Sequence, residues 1–290
     1  MKILITGASG QLANKLKEVL SKHELVLTDS HNLNITDARL TQKKIYEIKP
    51  DIVFHAAAYT KVDDAETNQD PCFKINTGGT KNIIEACNSS GALLIFISTD
   101  YVLDGKKKEP YKESDKTGEP LSVYGRSKRD AELEIEKNSK KYYTLRTSWL
   151  YGELPKDHPG SNFVETMLKL SKTKDELSVI DDQVGSPTYT GDLASGASEI
   201  IERYDTKKQL PYGIYHLSNE KEASWYDFAV EIFKQSNIQI KVIPIPTENY
   251  PLPAERPEYS YLSKEKIKSF GIKIRPWQEG LKEYLNKRQI

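Results

Sequence analysis

Tyr124 and Lys128 stand one helical turn apart in YGRSKRDAELEI (124–135), so both side chains share a face if the stretch is helical. A phenol beside an ammonium is an acid–base device. Tyrosine ordinarily ionises near pH ~10, so proton transfer near neutrality calls for a shift of about three units, roughly 4 kcal/mol. A positive charge about 4.5 Å from the phenolate, at an effective dielectric of about 20, contributes roughly 3 to 4 kcal/mol. The pair therefore predicts a proton donor for a carbonyl oxygen that receives hydride. Thr99 joins it: STDYVLDG (98–105) follows the apolar run ALLIFI (92–97), so Ser98, Thr99 and Asp100 leave the C-terminal end of a central strand, where open α/β sheets place their chemistry. The Thr99 hydroxyl is expected to bond the same carbonyl oxygen and tune the phenol. The spacing recurs at Tyr204 and Lys208, but within IIERYDTKKQ, a polar helix end remote from any glycine turn, where it reads as surface. Tyr124, Lys128, Ala131 and Ile135 also fit the stripe of an ordinary amphipathic helix, so context must decide.

That context is a βαβ rhythm. Short β-rich runs KILI (2–5), ELVLT (24–28), DIVFHA (51–56), ALLIFIS (92–98) and YYTLRT (142–147) alternate with amphipathic stretches, which predicts a parallel sheet. Leu12, Leu16, Val19 and Leu20 mark a helix between the first two, and Asn76 to Asn88 reads as another. The strand runs are continuously apolar, as strands covered on both faces should be. KILI enters TGASGQLA directly, so Gly7 and Gly10 fall at a strand-to-helix turn, where glycine lets the backbone approach a pyrophosphate that the next helix N-terminus stabilises. Ala13 replaces the third glycine of that pattern. Asp29 closes the second strand, where an acid binds adenosine ribose hydroxyls and repels an added phosphate, so NADH is favoured over NADPH. Ala56, Ala57 and Ala58 in HAAAY (55–59) leave room for a cofactor across the strand ends, or serve only as small capping residues.

The fold class expected is α/β: a Rossmann-type doubly wound parallel sheet with a smaller mixed α/β C-terminal substrate lobe. Residues 1–152 form the dinucleotide-binding domain, to which the chain returns around 184–220; 153–183 and 221–290 form the lobe. PIPTENYPLPAERPEY (244–259), with five prolines, cannot be regular helix. Lys plus Arg equals Asp plus Glu at 42 each, so no overall field attracts nucleic acid or an anionic membrane. No apolar run is long enough to span a bilayer, and MKILITG breaks before a signal core could form, so a cytoplasmic protein is expected. Cys72 and Cys87 read as buried thiols, and the five histidines (23, 31, 55, 158, 216) show no ligand spacing, so no metal site is assigned.

GASGQL (7–12), AAAYTKVDDAE (56–66), STDYVLDG, YGRSK (124–128), RTSWLYG (146–152), DQVGSPT (182–188), WYDFA (225–229) and AERPEYS (254–260) occur in the order seen in the dTDP-4-dehydrorhamnose reductases. The chain resembles that family, part of the extended short-chain dehydrogenase/reductase superfamily, over essentially its whole length. The resemblance implies NADH- or NADPH-dependent reduction of a dTDP-4-keto sugar to dTDP-β-L-rhamnose, the last step of dTDP-L-rhamnose synthesis. It implies Tyr124 as proton donor, Lys128 on the nicotinamide ribose and Thr99 as the tuning hydroxyl. Gly10, Gln11, Leu12, Asp29, Asn34, Ile35 and Ala56 to Ala58 match cofactor positions. Thr99, Asp100 and Trp149 match contacts to the sugar nucleotide, and Arg256 is expected to clamp its pyrophosphate with a two-armed guanidinium. Asn34 stands where many relatives carry Asp. Some relatives are homodimers with a divalent cation between subunits, but no acidic cluster here is assigned to one. Two alternatives stay open at this point: a related 4-ketoreductase making another deoxysugar nucleotide, and a cofactor-binding regulatory subunit.

Overall fold

A computed structural model describes residues 1–155 and 160–288. The first half alternates β1 (Lys2–Thr6), α1 (Gln11–Val19), β2 (Glu24–Thr28), α2 (Ala38–Ile48) and β3 (Ile52–His55). Next come α3 (Val62–Ala65), α4 (Gln69–Phe73), a π-helical turn (Lys74–Gly79) and α5 (Thr80–Ser90). β4 (Leu93–Thr99) leads through a 3₁₀ turn (Asp100–Val102) and a long loop to α6 (Val123–Asn138) and β5 (Tyr142–Thr147). The second half holds β6 (Leu150–Tyr151), α7 (Phe163–Leu170), β7 (Glu176–Ile180), β8 (Val184–Gly185), β9 (Thr188–Tyr189), α8 (Thr190–Asp205) and β10 (Gly213–His216). It ends with β11 (Ala223–Ser224), α9 (Trp225–Gln235), β12 (Lys241–Ile245), α10 (Glu265–Ser269) and α11 (Trp277–Arg288).

Six strands form one parallel sheet in the order β10-β5-β4-β3-β1-β2. The chain runs outward from β1 to β2 and then crosses back to β3, so the direction of winding reverses between β1 and β3. Open α/β sheets bind ligands outside the strand ends at such a point. Leu12, Leu16, Ile200 and Ile201 cover one face of the sheet, and Ile45, Ile83, Ile84, Ala131 and Ile135 cover the other. Burial on both faces holds for β3 and β4 but not for β2, which lies at the sheet edge and is half exposed. The helix expected over 76–88 starts earlier: α4, the π turn and α5 follow one another from Gln69 to Ser90.

A separate core packs Val164, Leu168, Phe228, Ile232, Trp277 and Leu281 between α7, α9 and α11. The chain returns to the main sheet through α8 and β10, which pairs with β5. Residues 221–290 do not form a single unit, however, because Ile267 and Ile272 pack into the core of the main sheet. In the proline-rich stretch Pro244 sits in β12, which pairs with β7 as a two-stranded parallel sheet. Among the described residues no helix is long and apolar enough to cross a membrane. Cys72 and Cys87 are buried and free.

One buried ion pair fixes the helix that carries Tyr124 and Lys128. Arg146 on β5 donates from Nη2 to Glu132 Oε2 on α6 at 2.6 Å, and from Nε to both carboxylate oxygens at 3.0 and 3.2 Å. Both side chains are 3% exposed. Removing one partner strands a buried charge, so Glu132→Ala is expected to destabilise the fold by about 3–5 kcal/mol in chemical denaturation. A loss below about 1 kcal/mol would show that water reaches the pair.

Candidate active site

The glycine turn lies where β1 and β3 diverge. Gly7 has φ +73°, and a Cβ there would lie 2.8–2.9 Å from the Ala56–Ala57 backbone, so only glycine permits both the conformation and the close approach. Gly10 N–H donates to Gly7 O at 3.0 Å, closing the turn. Gly10 then caps α1 with no side chain to engage the first helical N–H groups, the arrangement that attracts a phosphate. Ala8 N–H donates to Thr28 O at 2.9 Å, which sets the end of β2, and so Asp29, beside the turn.

From this turn a cleft of about 810 Å³ runs past the exits of β4 and β5. Gly7, Gly10, Gln11, Leu12, Ala56, Ala58, Thr99, Asp100, Tyr124, Lys128 and Trp149 line it, so the structure brings together most of the residues picked out in the sequence. Ser98 Oγ, Thr147 Oγ1 and Gln11 Oε1 line it too, and each is buried without a hydrogen-bond partner. Buried polar atoms are seldom left so, and these fit a polar ligand such as a dinucleotide or a sugar.

α6 is set by its cap. Ser122 Oγ accepts from Gly125 N–H at 3.1 Å, and Glu66 accepts from Val123 N–H at 2.8 Å, so the helix starts just before Tyr124. The Tyr124 ring meets Tyr101 edge-on at 5.9 Å. Lys128 is buried; its Nζ donates to Ile97 O at 2.7 Å and lies 3.9 Å from the Phe96 ring centre. Burial pulls Lys128 down to about 7, against the attraction of Glu132.

The expected lowering of the phenol is not what this geometry gives. Burial raises Tyr124 above the ordinary tyrosine value; hydrogen bonding with the Thr99 hydroxyl opposes that, and the nearby Asp100 carboxylate adds to it. The ammonium expected to lower the phenol is itself desolvated and turned to a carbonyl and a ring. Thr99 Oγ1 donates to Asp100 Oδ1 at 3.0 Å and accepts from Tyr101 N–H at 3.2 Å. Asp100 also accepts from Ser260 Oγ at 2.6 Å, yet burial still lifts its carboxyl to about 6.

The remaining picks lie elsewhere. Asp29, Asn34, Ile35 and Ala57 are not among the cleft-lining residues. Asp29 Oδ1 accepts from His31 N–H at 3.0 Å, and Asn34 Oδ1 accepts from Thr36 N–H at 3.1 Å. Ile35 packs beneath Gly79, and Ala57 N–H donates to Thr6 Oγ1 at 3.2 Å. Arg256 is not in the lining either: Nη1 and Nη2 each donate to Asp63 at 2.7 Å, with further contact to Ala254 O. Both arms of the fork expected to clamp pyrophosphate therefore tie the proline-rich loop to α3. Tyr204 is half-buried at the end of α8, which stops short of Lys208.

Sequence reasoning missed several residues. Trp225 lines the cleft, although nothing in the spacing of WYDFA marks it as a site residue. Asn76, in the π turn, accepts from Tyr59 N–H at 2.8 Å and donates to Ser127 Oγ at 2.9 Å, joining the loop after β3 to α6. No local pattern announces such a cross-brace. His55 is structural: it bonds Thr6 and Thr80, and burial depresses it to about 3. Among the described residues no three His, Cys, Asp or Glu side chains are arranged to hold a metal; His158 lies outside them.

The strand order, the glycine turn opening α1 and the Tyr–Lys pair of α6 facing the same cleft as Thr99 at the exit of β4 define a nicotinamide-dinucleotide-dependent oxidoreductase of the extended short-chain dehydrogenase/reductase type. Its sequence matches the RmlD substrate binding domain family over residues 1–290. It is similar to the spore coat polysaccharide biosynthesis protein SpsK of Bacillus subtilis, 42% identical over 99% of this chain and 98% of that one. Among solved structures, the dTDP-4-dehydrorhamnose reductase of Clostridium acetobutylicum superposes with a TM-score of 0.92 at 44% identity, covering 100% of both chains. That of Bacillus anthracis, in complex with NADP, gives 0.91 at 38% identity, covering 99% of both. The chain belongs to the dTDP-4-dehydrorhamnose reductase family.

Proposed function

We propose that this chain reduces the C4 ketone of dTDP-4-dehydro-β-L-rhamnose to dTDP-β-L-rhamnose with NAD(P)H. The observation that carries the reading is the convergence of Tyr124, Lys128, Thr99 and Trp149 on one cleft that begins at the glycine turn. A bound reduced nicotinamide supplies hydride. The Gly7–Gly10 turn and the first N–H groups of α1 hold the pyrophosphate, Asp29 takes the adenosine ribose, and Lys128 orients the nicotinamide ribose. Tyr124 and Thr99 hold the carbonyl oxygen, and Tyr124 gives that oxygen its proton. The phenol is protonated at neutral pH, and the alkoxide oxygen formed as hydride arrives is the stronger base and takes that proton. Asp100 and Trp149 contact the sugar nucleotide.

The test is cofactor oxidation that depends on dTDP-4-keto-6-deoxy sugar, measured against a panel of other nucleotide sugars. Equal turnover of another 4-keto sugar would displace the substrate assignment. We further infer a preference for NADH, because the Asp29 carboxylate would repel a ribose phosphate. The similar Bacillus anthracis protein was solved with NADP, so both cofactors are to be compared. Asp29→Asn is expected to raise kcat/KM for NADPH relative to NADH by about tenfold, the effect of relieving one partly screened repulsion. An unchanged ratio would remove Asp29 from the discrimination.

A further inference from the structure

Trp149 follows β5 with φ +45°, a left-handed backbone that bulky residues rarely adopt. Such a conformation persists only where surrounding contacts determine it. Those contacts come from the other core. The Trp149 indole lies on that of Trp225 with ring centres 3.7 Å apart and planes within 5°. A Cβ on Gly185 would lie 2.7–2.9 Å from the Trp149 ring, so backbone occupies the space beside it. Trp225 is firmly held in turn. It opens α9 behind a reciprocal cap of Ser224 and Asp227; Ser224 Oγ also donates to Asp181 at 2.7 Å. β11 pairs antiparallel with β8, setting Ala223 opposite Gly185, and Phe163 backs the Trp225 ring at 4.7 Å. Both indoles line the cleft that holds Tyr124.

We propose that Trp225 is a positioning residue for the reduction: it holds the Trp149 indole at the angle at which that ring meets the nucleotide sugar. The inference rests on the reading of this cleft as a nucleotide-sugar 4-ketoreductase site. Trp149 leaves the main sheet with a backbone that does not favour its own conformation, and the stack with a ring from the second core supplies the restraint. The stack therefore couples the geometry of that core to the placement of substrate beside Tyr124.

The chain has three tryptophans, which makes the stack visible by spectroscopy. Stacked indoles whose in-plane transition directions differ couple to give a paired positive and negative band in circular dichroism; Trp277, packed edge-on against Phe228 at 5.5 Å, does not join them. In the full-length enzyme, Trp225→Leu is expected to abolish this band pair and Trp277→Phe to keep it. Trp225→Leu should raise KM for dTDP-4-keto-6-deoxy sugar about tenfold, with a smaller change in kcat and no change in NADH dissociation, as befits one lost ring contact. Trp225→Phe, which keeps an aromatic ring and is expected to fold, should recover most of the KM. The proposal is overturned if Trp225→Leu loses the band pair at unchanged KM, or if NADH binding weakens as much as KM rises. Wild-type enzyme that oxidises no cofactor with any keto sugar would overturn the functional reading, and this inference with it, before any substitution is made.

Discussion

Tyr124→Phe should lower turnover of the keto sugar nucleotide by about 10²–10⁴-fold, the usual contribution of a positioned proton donor. The ring should stay where it is, since its edge-on contact with Tyr101 needs no hydroxyl. NADH dissociation should change by less than about tenfold, because at most one neutral hydrogen bond is lost. The two readouts separate roles: steady-state kinetics with saturating NADH report proton transfer, and fluorescence titration reports the cofactor site. Near-normal turnover in this variant would remove the phenol from the chemistry, and a parallel loss of cofactor binding would make it a structural residue.

Lys128→Met carries the second large effect, and it has two opposite parts. Turnover should fall by about 10²-fold or more, since the group that orients the nicotinamide ribose is gone. Stability should rise. Burial pulls Lys128 from 10.5 to about 7, so between those values the unfolded chain holds a proton that the folded chain has released. The stability of the wild type therefore increases with pH across that window, and the full penalty of burying the ammonium is felt below pH 7. Methionine removes the charge and keeps much of the volume. Its gain, about 1–4 kcal/mol by the range found when buried charges give way to apolar groups, should be largest at or below neutrality and shrink toward pH 10. Thermal unfolding of both proteins across this range checks it. A gain that stays constant up to pH 10 would mean that the amine stays charged in the cleft.

What was legible in the sequence and what was not divide along physical lines. The strand of Tyr142–Thr147 has the limits expected from YYTLRT, because its aromatic and β-branched residues favour a strand even though Arg146 interrupts the apolar run. The helix after Gly10 was equally plain from Leu12 and Leu16, whose spacing is local. The edge position of β2 was not, since ELVLT is as apolar as its neighbours and only the strand order exposes it. Pairs such as β8 with β11 involve two residues each, too few for any period to show. In the site, Tyr124, Thr99 and the glycine turn were readable because their spacing is itself the signal. The pairing of Arg256 with Asp63 spans more of the chain than any motif, and so does the stack of Trp149 on Trp225. The raised phenol has the same origin: spacing sets the ammonium beside the phenol, while the burial of both groups follows only from the fold.

The most direct test of the whole account follows one hydrogen atom. The enzyme is incubated with the keto sugar nucleotide and NADH carrying deuterium at the nicotinamide C4 position, and the product is read by proton and deuterium NMR. The account predicts dTDP-β-L-rhamnose with deuterium bound to sugar C4, formed in step with cofactor oxidation, at wild-type rate with Tyr124 and at a small fraction of it with phenylalanine. Deuterium at another carbon, or none in the sugar while the cofactor remains reduced, would contradict it.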